Sequence, residues 1–170
     1  MRKLFLLLTA MACLGLVGPA CADEDREQYV VRNVKWGMTK EEVINSEKTP
    51  PVTNEDDAVG YADTILEEKS LVLYSFENLV LTKVYIRINA SSQARQKRVL
   101  EMINETLRKK YTLSALVGGI SLYDSATTNV TTLPQQKENV YSVDVMYRPQ
   151  ERAKKDADAW EKEKGELKQF

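Results

Sequence analysis

Histidine is absent from the 170 residues. That excludes a catalytic imidazole, a His-containing zinc site and any Ser-His-Asp machinery. Cysteine is nearly absent: Cys13 and Cys21 are the only two, and both fall in the first 21 residues. The rest of the chain therefore has no internal disulfide and must be held by its core. Phenylalanine (3), proline (5) and glycine (7) are sparse, so low-complexity and collagen-like classes are excluded. Charge of one sign is also lacking. The formal net charge is -1, and becomes -3 once residues 1–22, with Arg2 and Lys3 but no acid, are set aside. This gives no broad electrostatic argument for binding nucleic acid.

Residues 1–22 have the pattern of an export signal. Arg2 and Lys3 are followed by an uncharged run from Leu4 to Val17, too short for a bilayer span of roughly 20 residues. Gly18 and Pro19 precede two competing cleavage sites. Ala20-Cys21-Ala22 is a small-x-small site that would release a chain starting at Asp23. Gly18-Pro19-Ala20-Cys21 resembles a bacterial lipobox, which would end the signal at residue 20 and lipidate Cys21. Residues 23–28 read as a polar lead-in, residues 29–148 as a single α+β domain, and residues 149–170 as a charged helix.

The sharpest local signature runs from Val34 to Val43. Thr39 with Glu42 three residues on is a capping box, and Met38 with Val43 has the spacing of a hydrophobic staple. A helix is expected from Lys40 and must end by about Lys48, ahead of Pro50 and Pro51. Strands are expected over Ala58–Leu66, Leu71–Phe76 and Leu79–Ile88. Glu77-Asn78 forms the tight turn, with Val80, Val84, Ile86 and Ile88 on one face and Lys83, Tyr85 and Arg87 on the other. The period then changes. Val99, Met102, Ile103 and Leu107 mark a helix over Ser91–Lys110. Gly118-Gly119 reads as a bend, Ile120–Asp124 and Asn129–Leu133 as short strands, and Pro134–Asn139 as a polar loop. Val140–Tyr147 alternates again, with Tyr141, Val143, Val145 and Tyr147 facing one way. The last helix carries a thin apolar line of Ala153, Ala157, Trp160 and Leu167, expected to dock by its first turns. The fold class expected is α+β: an antiparallel sheet of five to six strands, helices on one face and a charged C-terminal helix. Two similar strand-rich halves are visible without a residue-level repeat.

Trp36, Gly37, Met38 and Val43 are the candidate binding residues. Trp36 either anchors a partner or plugs the seam between sheet and helix, with Gly37 permitting the tight entry. Glu55, Asp56 and Asp57 are either hard-cation ligands or a solvated loop, and their spacing matches no EF-hand. Glu67 and Glu68, as strand neighbours, point to opposite faces and make a poor hydrolytic pair. No motif joins a Ser to a Lys, and Gly118-Gly119 lacks the Lys and Ser or Thr of a phosphate loop. Tyr61, Tyr74, Tyr85, Tyr123, Tyr141 and Tyr147 either line a groove or pack the sheet. No catalytic residue, metal site or cofactor is expected.

The segments Val34–Val43, Tyr74–Ile88, Leu107–Thr112 and Val143–Arg148, together with the export signal, resemble a widespread class of small exported bacterial proteins. At a greater remove, Gly37, Met38, Thr39 and Val43, followed by a strand meander, are similar to accessory lipoproteins of the outer-membrane β-barrel assembly machine and the related inhibitor-type fold. That resemblance implies helices against an antiparallel sheet and a function exercised by binding other proteins. The leading expectation is thus a non-enzymatic, periplasmic or outer-membrane-anchored protein that binds a partner of the cell envelope. The alternatives are a small-ligand binder and a carboxylate-based hydrolase.

Overall fold

The computed structural model describes residues 30–167, with side chains described as far as Ala159. The signal sequence, Cys21, the lead-in, and the side chains of Trp160 and Leu167 lie outside the described residues.

The chain repeats one motif: a helix followed by a four-stranded meander. Helix α1 (Lys40–Ser46) precedes β1 (Thr53–Glu55), β2 (Ala58–Ile65), β3 (Glu68–Glu77) and β4 (Val80–Ala90). Helix α2 (Gln93–Arg108) precedes β5 (Thr112–Val117), β6 (Ile120–Asp124), β7 (Thr128–Lys137) and β8 (Val140–Pro149), and α3 (Gln150–Leu167) follows. All eight strands form one antiparallel sheet in the order β1-β2-β3-β4-β8-β7-β6-β5. The two meanders meet at the β4–β8 pair, so β1 and β5 are the opposite edges.

This corrects the expected fold class. The molecule is mostly sheet, with eight strands and not five to six; α1 and α2 cover part of the core face, while α3 reaches Glu77 and Arg148 on the other face through Arg152 and Asp156. The differences lie in polar or exposed segments. β1 and β5 carry no buried residue, and β7 runs through the stretch expected to be the Pro134–Asn139 loop. Pro134 is tolerated because β6 pairs with β7 only as far as Thr132, leaving no neighbour to receive the missing N–H.

Tight hairpins explain the compactness. Leu66-Glu67, Asn78-Leu79 and Gly118-Gly119 each place two successive residues at positive φ, the conformation that matches the right-handed strand twist. The turn expected at Glu77-Asn78 is therefore one residue later, and Leu79 is a turn residue. A bulge in β4 also corrects the face assignment of Val80. Ser75 opposes Lys83 while Phe76 opposes Leu81, so Thr82 is the extra residue. The phase flips there: Leu81 and Val84 are both buried and Val80 turns outward.

The core lies on one face of the sheet. Val59, Tyr61, Val72, Tyr74, Leu81, Val84, Ile88, Val143, Val145, Val130 and Tyr123 are buried there. Helix α1 caps it with Val43, and α2 with Val99 and Leu107. The buried Gln96 amide of α2 donates to the carbonyls of Gln135 (2.7 Å) and Ser142 (2.8 Å), tying the helix to the β7–β8 hairpin. On the opposite face Arg87 grips Asp144 with two 3.0 Å hydrogen bonds. No described helix is long and apolar enough to cross a membrane.

Candidate functional site

The turn before α1 is built from the residues upward. Thr39 accepts from the Glu42 N–H, and the Glu42 carboxylate accepts from the Thr39 N–H at 2.7 Å, so the capping box is formed. The Thr39 N–H and hydroxyl, both donating to the Glu42 carboxylate, hold it below its ordinary range. Gly37 sits at φ +83 with open space around it, so it is the backbone conformation that calls for glycine. The turn is stitched to β4: the Gly37 N–H donates to Leu81 C=O (3.4 Å) and the Leu81 N–H to Met38 C=O (2.8 Å). Thr39 also bridges to Val80.

The four sequence-derived residues share this turn but have different surroundings. Trp36 is half-buried against the core, and its indole N–H donates to the Thr128 hydroxyl at 2.9 Å. Met38 is half-buried, with its Sδ 3.0 Å from the Lys35 nitrogen. Gly37 is exposed. Val43 is fully buried. It seats the helix and offers no surface to a partner, which corrects its inclusion among contact residues.

Sequence reasoning missed the residue that completes this surface. Leu79, at the tip of the β3–β4 hairpin, is 83% exposed and held at φ +68. A left-handed residue with a Cβ costs roughly 1–2 kcal/mol, and an exposed leucine there returns no burial. Val80 beside it is exposed as well. Val80 bridges to Thr39, the residue after the Trp36–Met38 turn, and Leu79 precedes Val80 in the hairpin. The available clue was Asn78, a turn former followed by a residue that is not glycine.

A second cluster lies behind α1. Arg32, itself at φ +54, pairs with Glu47 and Asp63, and Glu47 also accepts from the Tyr74 hydroxyl. Burial and the Glu47 carboxylate drive the Tyr74 hydroxyl well above its ordinary range. Tyr61 packs edge-on against Tyr74 at 5.9 Å, and its buried hydroxyl has no hydrogen-bond partner among the described residues. A cleft of about 450 Å³ opens beside the cluster, bounded in part by Arg32, Glu47, Lys48 and Asp63.

The other candidates are placed as follows. Tyr61, Tyr74 and Tyr123 are fully buried in the core and line no groove; Tyr85 lies on the other face, beneath the Arg87 guanidinium. Glu67 and Glu68 both pair with Arg95 of helix α2, Glu68 through a part-buried contact at 2.5 Å and Glu67 from solvent. Glu55, Asp56 and Asp57 are exposed, and no group of three potential metal ligands gathers among the described residues. Comparison with family models, with curated proteins and with solved structures finds no match.

Proposed function

We propose that this protein is a non-enzymatic, exported component of a bacterial cell envelope that acts by binding another protein. The binding surface is the tip of the β3–β4 hairpin with the Trp36–Met38 turn beside it. The observation that carries the reading is Leu79: an exposed leucine kept in a left-handed conformation works against stability, and such strain is retained where a surface serves recognition. The N-terminal pattern of Arg2, Lys3 and the Leu4–Val17 run supports export, and Cys21 supplies the lipidation site if the lipobox is used. The intact mass of the mature protein separates a chain beginning at Asp23 from one beginning at a lipidated Cys21.

The test is a photo-crosslinking residue placed at Leu79 in cells of the native host. A discrete protein adduct is expected there. None is expected from Glu138, whose hairpin lies at the opposite end of the sheet. Equal labelling from both positions, or none from Leu79, removes the proposed surface. A small polar ligand held in the cleft beside Arg32, Lys48 and Asp63 is the second reading, supported by that cleft's mixed charge. A rise in melting temperature with amino acids or small organic acids would favour it.

A further inference from the structure

The two edges of the sheet are built differently. β1 has three residues, ends at Glu55 beside Asp56 and Asp57, and has its Glu55 carbonyl occupied by the Lys40 ammonium. Short length and charge are the usual protections of an open edge, and the acids would repel a second β1. β5 is twice as long, and no charged residue occurs from Thr112 to Tyr123. Among the described residues, its outer side has no neighbouring strand. Leu116 is 64% and Val117 69% exposed.

The bulge in β5 gives this edge a specific pattern. Leu113 opposes Tyr123 and Leu116 opposes Ser121, with Ser114 as the extra residue, whose hydroxyl donates to Leu122 C=O at 3.1 Å. Tyr123 and Ser121 are both buried on the core face. Leu113 and Leu116, three apart in sequence, therefore both point to that face. Had the strand been regular, they would point to opposite faces.

We infer that β5 is a self-pairing edge: two copies of this chain join antiparallel through it about a two-fold axis. In the register that sets Leu113 across from Leu116 of the second copy, both Leu–Leu pairs form on the core face and the two sheets become one. Antiparallel self-pairing satisfies the outward N–H and C=O groups of both copies alike. The uncharged segment brings no like charges together, in contrast to β1. Six residues per copy fall short of the roughly 1,200–2,000 Å² of a standard interface, so the association is weak and depends on concentration. The surface is separate from the one around Leu79, and this inference does not rest on that reading.

The test is sedimentation velocity on the processed protein from micromolar to millimolar concentration, with amide hydrogen exchange at both extremes. A monomer–dimer equilibrium is expected, with β5 amides slowing as concentration rises. Leu116→Lys, at a solvent-exposed position, should abolish the dimer and leave the melting temperature of the dilute monomer unchanged; Leu79→Asp should leave the dimer intact. Three results would overturn the inference: a monomer at every concentration, a dimer whose newly protected amides lie outside β5, or a dimer that survives Leu116→Lys.

Discussion

Trp36 and Thr128 are joined across 92 residues of sequence by a 2.9 Å hydrogen bond from the indole N–H to the threonine hydroxyl. The bond ties the turn before α1, in the first half of the chain, to the first residue of β7, in the second. Thr128 is buried and Trp36 packs against the core cluster, so the contact combines a satisfied polar group with apolar burial. Trp36→Ala is expected to lower stability by about 2 kcal/mol, below the range for a fully buried tryptophan because this one is half-buried. Trp36→Phe, which keeps the ring and drops the donor, should cost about 1 kcal/mol. Urea unfolding measures both. An alanine variant as stable as the parent would show that the ring is a free anchor and carries no packing.

The strain at Leu79 can be measured without knowing a partner. Glycine occupies the left-handed region freely, but it also raises the entropy of the unfolded chain. The balance predicts that Leu79→Gly stabilises the protein by about 0.5–1 kcal/mol. A crosslinker moved to the neighbouring, exposed Val80 should lose its adduct when Leu79 is replaced by glycine, if the leucine side chain serves recognition. A destabilised glycine variant would mean that Leu79 makes a packing contact in solution, and the argument from strain would fall.

Local rules made some of this structure legible. The Thr39–Glu42 capping box located α1, and the alternation of Val143, Val145 and Tyr147 located β8 and its inward face. The size of the sheet was hidden for a physical reason. An edge strand such as β5 meets water on most of its surface, so its side chains show no two-residue period. The bulge at Thr82 reversed the inward face within one strand, which no fixed period anticipates. The hairpin at Leu66-Glu67 has neither glycine nor asparagine and so lacks the usual turn mark, whereas Asn78 marked its turn to within one residue. At the candidate site the Trp36–Met38 turn was readable because its residues are contiguous. Arg32 was not, because its carboxylate partners Glu47 and Asp63 lie 15 and 31 residues away.

Arg32 is the residue whose loss should be felt most around α1. The Glu47 side chain is 6% exposed and faces both the Arg32 guanidinium and the Tyr74 hydroxyl. Arg32→Ala would leave that carboxylate buried beside a single neutral donor. Breaking a buried pair in this way costs about 3–5 kcal/mol. Arg32 is partly solvated, so about 2 kcal/mol is expected here. Glu47→Gln in the Arg32→Ala background should recover part of the loss, since the amide needs no counter-charge. A double-mutant cycle reads the coupling directly, and additive effects would show that the two residues do not support each other.

The pH profile should be decided on its alkaline side. With no histidine in the chain, no side chain present has its ordinary pKa near neutrality. Burial pushes Tyr111 up to about 12. Burial, followed by the hydrogen bond to Asp144 and that residue's charge, pushes Tyr85 up to about 12 as well. Tyr74 and Tyr147 are raised further, mainly by burial. An unfolded tyrosine ionises at about 10. The fold therefore favours the neutral phenol, and this contribution is complete below about pH 10. It is lost as the pH rises from there through about 12, where the folded groups themselves ionise. Stability should be nearly flat through the neutral range and fall steeply above pH 10. The tyrosinate absorbance of the buried rings should rise together with the loss of sheet circular dichroism, and Tyr111→Phe should soften the fall. Buried rings that ionise near pH 10 while the sheet stays intact would show that water reaches them in the native state, against the packing described for Tyr111 and Tyr147, whose rings meet edge-on at 6.4 Å.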